Sequence, residues 1–532
     1  MSLEHNSTKV EILRLINEGV SLRSIEESVG VSRSAISKFL RKESYKDWWS
    51  QNEKPIASGT YLDHHSNVKK LNKKRYILTS AQNNTFVHPG FLSALEVMAE
   101  EIDAQIIVGT YSYNTNGFQN LEKSDGEWFD PKISEYILDE PAELAKGLMW
   151  LGELNILPTA VSPLSGLHSY SMMNSAIVPH SKVQLESLPT HKTESTRMMY
   201  TTGSVTKRNY IQKKAGQKAS FHHVFGALLV EVDDDGDWFV RQLIADSKTG
   251  SFQDLDTLYT SNYKVVNAPV EAINWGDIHV EKLDFDVATA SFFDPDSMLN
   301  VLKPTYQFIH DGIDFESRNH HNIKDPYFRF KMYHQDKESV KENIEMLVWF
   351  LNNVHKEGTK TVVVESNHDL ALKRWLKEAD YKTDPANAIF FLECQLLMYK
   401  LIEAGKDDSS VLGEVIKNVV QGLDNDAVFL TQDESFKICN DNENGIECGS
   451  HGHLGNNGSR GGISSYQKLG ARSNIGHSHS AGIKDGVYQA GVSAELDMGY
   501  NTGGSSWSHS HIVTYPNGKR TIITLKKGKW RA

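Results

Sequence analysis

Five short segments in the second half of the chain gather Asp, Asn and His: Gly276-Asp277-Ile278-His279, His310-Asp311-Gly312-Ile313-Asp314, Ser366-Asn367-His368-Asp369, His451-Gly452-His453 and Gly476-His477-Ser478-His479. Carboxylate, carboxamide and imidazole are the hard oxygen and nitrogen ligands that divalent first-row metals take. With 22 histidines in the chain, a lone D-x-H or H-x-H would read as structural. Five such segments in series read instead as a two-metal site. Its chemistry would be phosphoester hydrolysis, because two cations about 3.5–4 Å apart polarise phosphoryl oxygens and turn water into a nucleophile.

Such ligands need a rigid edge. Three segments follow short apolar or β-branched runs, at 271–275, 305–309 and 361–364. These runs are predicted strands. Ligands at strand ends converge at one edge of a sheet, where open α/β folds place their sites. Residues 326–356, 369–378 and 387–404 are predicted helices. His509 and His511 are expected to alternate on a strand at 507–515 with one face exposed.

The order of the five segments resembles the calcineurin-like metallophosphoesterase family, in its Mre-type nuclease branch, with the pattern D-x-H, GD-x-x-D, G-N-H-D/E, H, G-H-x-H. The likeness covers roughly the last half of the chain. His310 and Ser366 stand where the family has Gly, and Phe315-Glu316 where it has Arg-Gly; no expected ligand is lost. The resemblance implies a helix-flanked β-sandwich (αββα) over residues 265–532, in an α/β fold. It implies that Asp277, His279 and His479 hold one metal, that Asn367, His451 and His477 hold the second, and that Asp311 bridges both. His451 is preferred over His453 as ligand, since the family's fourth histidine commonly precedes a Gly. His453 stays a candidate substrate contact. His368 would sit at the leaving oxygen, oriented by Asp369. His320 and His321 take the place of a substrate-facing histidine, or else lie on a polar surface loop. Arg460, in a Gly/Ser/Asn-rich stretch at 440–475, could hold a phosphate. Oxygen and imidazole ligands without cysteine suit Mn²⁺, with Fe or Zn as alternatives.

Residues 1–46 are read as a separate module. Val10, Leu13, Ile16 and Val20 recur at helical spacing, and Gly19 closes that helix. Ser21 caps a second helix carrying Leu22, Ile25 and Val29, Gly30 makes the turn, and Ser32 caps a third with Ala35, Ile36, Phe39 and Leu40 inward. The stretch resembles a helix-turn-helix of the resolvase or transposase sort. Arg33, Ser34, Ser37, Lys38, Arg41 and Lys42 would then face DNA, being residue types that reach phosphates and base edges. The plainer reading is a three-helix bundle for oligomerisation. Residues 47–73 read as a linker, and 74–264 as an α/β to β-rich region of unknown role. In it 140–151 is a predicted helix, and 224–232 and 238–244 a predicted hairpin. The acid run 233–237 fails the EF-hand pattern and reads as a solvated turn. Lys207, Arg208, Lys213, Lys214 and Lys218, interleaved with Tyr210, could follow a phosphate backbone or form a solvated loop.

The 532-residue chain has a formal net charge of −12, which argues against a general coat of positive charge but leaves room for a local basic groove. No apolar run reaches ~18 residues, so no membrane span is expected. The three cysteines suit a reducing cytoplasm. Cys439, Cys448, His451 and His453 could be spaced for a small zinc site, but the phosphoesterase pattern already claims a histidine there. Next to a DNA-holding module, DNA is the most economical substrate for a phosphodiesterase. The arrangement is similar to phage-encoded nucleases that destroy host DNA early in infection, and a homo-oligomer is expected. One alternative is a small-molecule phosphatase or nucleotidase whose N-terminal module assembles the oligomer. Another is a DNA-binding regulator with a degenerate enzymatic domain.

Overall fold

A computed structural model describes residues 6–18, 20–40, 68–113, 128–191, 194–432, 434–439 and 445–532. The chain divides into two compact units, Met1–Val68 and Lys69–Ala532. Among the described residues no helix is long and apolar enough to cross a membrane.

Among the described residues the first unit has three helices, Asn6–Asn17, Leu22–Val29 and Arg33–Leu40. Ser21 Oγ accepts the Ser24 N–H, and Gly30, at φ 63°, closes the second helix by donating to the Glu26 carbonyl. Ser32 Oγ accepts the Ala35 N–H at 3.3 Å. Ile12, Ile25, Val29, Val31, Ile36 and Phe39 form the core. Arg33 is exposed and ion-paired with Glu26 at 2.7 Å. Gly19, Arg41, Lys42 and residues 47–67 lie outside the described residues, as do the side chains of Val10, Leu13, Ile16, Ser37, Lys38 and Leu40.

In the second unit the region 74–264 does not stand alone. One 11-stranded sheet takes strands from both halves of the chain, joined where Leu185–Leu188 pairs antiparallel with Gly482–Lys484. A four-stranded sheet holds the expected hairpin, Gly226–Val232 with Trp238–Ile244, beside Arg75–Gln82 and Gln105–Tyr111. A six-stranded sheet runs Val428–Phe429, Lys360–Val364, Tyr306–His310, Ala272–Asn274, Ser510–Thr514, Arg520–Thr524. Its first four strands are parallel and its last two antiparallel.

Strand periodicity decides what this sheet covers. Ala272, Phe308, Val362 and Val364 point to one side, packing on Leu430, Ile438, Ile446 and Cys448. Ile273, Ile309, Val363 and Val513 point to the other, packing with Ile344 and Leu347, Leu372 and Trp375, and Phe390 and Phe391. Those pairs come from the helices Val340–Asn353, Asp369–Glu378 and Ala388–Glu403.

Two expectations are corrected. Residues 140–151 form a hairpin, Pro141–Ala145 and Leu148–Leu151, turning at Gly147 with φ 80°. Ala, Glu, Leu, Lys and Met favour helix, but Ala142 and Leu144 alternate inward, and burial outweighs propensity. The predicted helix 326–356 is two, Pro326–His334 and Val340–Asn353. Asp336 at φ 52° breaks the run, and Ser339 Oγ caps the second helix through the Glu342 N–H.

The acid run is a hairpin turn, as read, but not a bare one. Lys529 reaches Asp233 and Asp235 at 2.8 Å, and Lys527 reaches Asp237 at 2.7 Å. Tyr210 of the basic stretch is buried, its hydroxyl 2.6 Å from His223 Nδ1, so it presents no ring to a nucleic acid.

Arg318 anchors the segment after the second ligand run. Fully buried, it donates two bonds to Asp384 at 2.6 and 2.7 Å and one to Glu338 at 3.0 Å. Arg318→Ala would strand the buried Asp384 carboxylate. The expected loss is about 3–5 kcal/mol, read as a lower denaturation midpoint at unchanged slope.

Candidate metal centre

The five segments meet at one end of the sheets. Ala272–Asn274 leads into Asp277 and His279, Tyr306–His310 into Asp311, and Lys360–Val364 into Asn367 and His368. Arg472–Ile475 leads into His477 and His479, and the Gly476 N–H donates to the His451 carbonyl at 2.8 Å. His279, Asp311, His477 and His479 all have positive φ, from 43° to 75°. Left-handed backbone at non-glycine residues costs of order 1–3 kcal/mol and persists where the surroundings impose it, typically at functional sites.

Asp277, His279, Asp311 and His479 are buried, with ligand atoms all within 4.8 Å of one another. His279 Nε2 lies 3.0 Å from His479 Nε2. Asp311 Oδ2 lies 3.5 Å from His279 Nε2, and Asp277 Oδ2 lies 3.3 Å from His479 Nε2. Two imidazole nitrogens facing each other repel unless a proton or a cation lies between their lone pairs. Oδ1 of both Asp277 and Asp311 is buried without a hydrogen-bond partner. Buried carboxylate oxygens left unpaired cost free energy, which a cation would remove. The donor set fits a divalent metal ion.

The same Asp311 oxygen also meets a second histidine. His451 Nε2 sits 3.2 Å from Asp311 Oδ2, and the His451 ring is 5.3 Å from that of His477. Asn367 Oδ1 is buried and unpartnered. His451 is therefore the inner histidine; His453 is half-buried, its ring centroid 5.5 Å from that of His451. Burial opposes charge on His451, but Asp311 and Asp277 outweigh it and push its pKa up to about 9. The carboxylates thus favour positive charge here, which a proton or a metal ion supplies. Burial pushes His310, His453 and His477 down to about 4, leaving neutral imidazoles fit to ligate.

The sequence reading missed two participants. His310, read only as a departure from glycine, groups with Asp277 and His451, its Nδ1 3.5 Å from His451 Nδ1. Asp314 lies 3.1 Å from His279 Nδ1 and 3.1 Å from Lys282 Nζ. The H-D-x-x-D spacing was the available signal for both.

His368 stands beside the ligands, its ring 4.8 Å from that of His279. His368 Nδ1 is 2.7 Å from the Asp314 carbonyl oxygen. A carbonyl only accepts, so Nδ1 carries the proton and Nε2 is free. The expected orienting role of Asp369 is corrected. Its carboxylate accepts the Ser366 N–H at 3.1 Å, and Ser366 Oγ accepts the Asp369 N–H. Asp369 holds the turn, and Asp314 orients His368.

The substrate candidates are less central. His320 is exposed and meets Arg374 Nη1 at 2.9 Å; His321 packs on it at 3.8 Å. Arg460 is exposed, bridged to Leu454, and does not line the cleft of about 370 Å³ that His451 and His453 open into. His509 and His511 are both engaged. His511 Nδ1 accepts the Gly276 N–H and its Nε2 donates to Ser291 Oγ, each at 2.9 Å, while His509 donates to the Ala494 carbonyl. Among the described residues no cysteine joins a ligand cluster, and burial raises the Cys439 thiol to about 11.

Gly476 leaves no room for a side chain, since a Cβ there would lie 2.2 Å from Asp277 Oδ1. Gly476→Ala should displace that carboxylate and weaken metal binding about 10–100-fold, as loss of a ligand's support commonly does. Equilibrium dialysis against Mn²⁺ would measure it.

The site defines a protein with a buried Asp/His centre able to hold metal. Protein A1 of Escherichia phage T5 is 43% identical over 489 residues, covering 90% of this chain and 87% of that protein. The chain belongs to the same family as T5 protein A1, and an origin in a phage genome fits. No described protein family matches it, nor does any solved structure.

Proposed function

We propose that the chain is a two-metal-dependent phosphodiesterase acting on DNA, of the calcineurin-like metallophosphoesterase type, with an N-terminal helix-turn-helix. The observation that carries this reading is the Asp311 carboxylate, which faces His279 at 3.5 Å and His451 at 3.2 Å. Asp277, His279 and His479 would hold one ion, Asn367, His451 and His477 the other, with Asp311 between. Mn²⁺ suits the ligands best, and Fe or Zn would also be held. Bound ions would supply Lewis acidity and an activated water. The chain supplies the rest. His368 offers Nε2 to the leaving oxygen, and Asp314 fixes its tautomer. Lys282 holds Asp314, and also Glu316 at 2.8 Å. The module 1–46 would grip duplex DNA, and in a host cytoplasm the enzyme would degrade host DNA.

The test sets the full chain with Mn²⁺ against linear and circular duplex DNA, beside a chromogenic phosphomonoester. Loss of DNA with the monoester untouched is expected. Monoester cleavage alone would favour a small-molecule phosphatase, and inertness on all three a DNA-binding regulator.

Deleting residues 1–46 should weaken binding to long duplexes and flatten its salt dependence, by about 0.9 in log–log slope for each phosphate the protein no longer neutralises. Hydrolysis of a small chromogenic diester should hardly change. An unaltered salt slope with a smaller particle by light scattering would make the module an assembly device.

A further inference from the structure

The helix Ala388–Glu403 is apolar on two opposite sides. Phe390, Phe391, Cys394 and Leu401 face inward and are buried. On the other side Ile389, Leu392, Leu396 and Tyr399 are 76%, 44%, 55% and 67% exposed. A helix apolar all round is normally covered all round. The outer residues recur at spacings of three and four, so they form one straight seam about 15 Å long. This is the a/d pattern of a helix that packs on another helix.

The charges beside the seam say which helix. With Ile389, Leu396 and Glu403 at a and Leu392 and Tyr399 at d, the exposed Glu393 and Lys400 both fall at e. Neither makes an ion pair or hydrogen bond among the described residues. In a second copy laid antiparallel about a two-fold axis at Leu396, e faces e. Glu393 then meets Lys400 of the second copy, and Lys400 meets its Glu393. A parallel pairing sets e against Ala388, Gln395 and Ile402 and forms no such pair.

We propose that the outer face of Ala388–Glu403 docks, antiparallel and two-fold symmetric, on the same face of a second copy of this chain. Such an interface is isologous, so one patch serves both sides. It stands apart from the metal ligands and does not depend on what the centre hydrolyses.

The test is the association of the full chain, followed by sedimentation over a range of concentrations. Leu396→Glu places two carboxylates on the axis and should raise the dissociation constant at least about tenfold, each tenfold being 1.4 kcal/mol. Metal content, unchanged in this exposed variant, reports the fold. Leu396→Cys should give a covalent dimer with a short thiol crosslinker where the parent chain does not. Glu393→Lys should weaken association, and adding Lys400→Glu should restore it. The proposal is overturned if the chain is monomeric throughout, if Leu396→Glu associates unchanged, if Leu396→Cys does not crosslink, or if the double reversal fails to restore.

Discussion

Replacing Asp311 by Asn is expected to abolish hydrolysis of every phosphodiester while leaving the fold intact. The carboxylate is buried, its pKa held well below the usual range because His451, His368 and His279 outweigh the cost of burial. Only a charged oxygen can face His279 and His451 together and draw cations to both sides. The amide carries no charge and replaces one acceptor by a donor. Stabilisation by such a site is worth several kcal/mol of transition-state charge, and each 1.36 kcal/mol is tenfold, so a fall of about 10³-fold or more is expected. The fold should hold, because Oδ1 serves no hydrogen bond in the chain. Elemental analysis beside the rate assay decides. A variant that keeps two metals and full activity would sink the assignment.

His368→Ala should separate chemistry from metal binding. The pKa of His368 lies above its ordinary value: burial opposes charge, but Asp311, Asp314 and the Asp314 carbonyl prevail. With Nδ1 held by the Asp314 carbonyl, Nε2 is the ring nitrogen left to carry a proton to the leaving oxygen. General acid catalysis contributes roughly 10²–10⁴-fold, and turnover should fall by that much with metal content unchanged. His368 also lies within ligand distance of His279 and Asp314. If metal is lost along with activity, His368 is a ligand and the general-acid role goes to another group.

What was legible in the sequence was what local chemistry repeats. D-x-H, N-H-D and H-x-H after apolar runs located the strand ends, and the structure brings Asp277, His279, Asp311 and His479 together. Of the two histidines at 451–453, the one preceding a glycine is the more deeply buried. Ser21, Gly30 and Ser32 marked helix ends because caps and left-handed turns are local. The rest depended on partners far along the chain. Nothing near His310 says that His451 will lie against it, 141 residues on. The strands at 141–151 read as helix because their composition favours helix, and their alternation acts only once a sheet exists to receive it. Asp369 was read as pointing to its neighbour His368, whereas the turn aims it at Ser366.

The order in which the sheets are threaded ties the centre to a distant stretch of chain. Ala272–Asn274, which launches Asp277 and His279, is paired on one side by Ser510–Thr514, and His511, 235 residues on, accepts the Gly276 N–H. Arg520–Thr524 pairs with that strand in turn. The Asp/His cluster is therefore complete only once residues 510–524 have joined the sheet, and damage to that stretch should cost the cluster its geometry although no ligand lies within it.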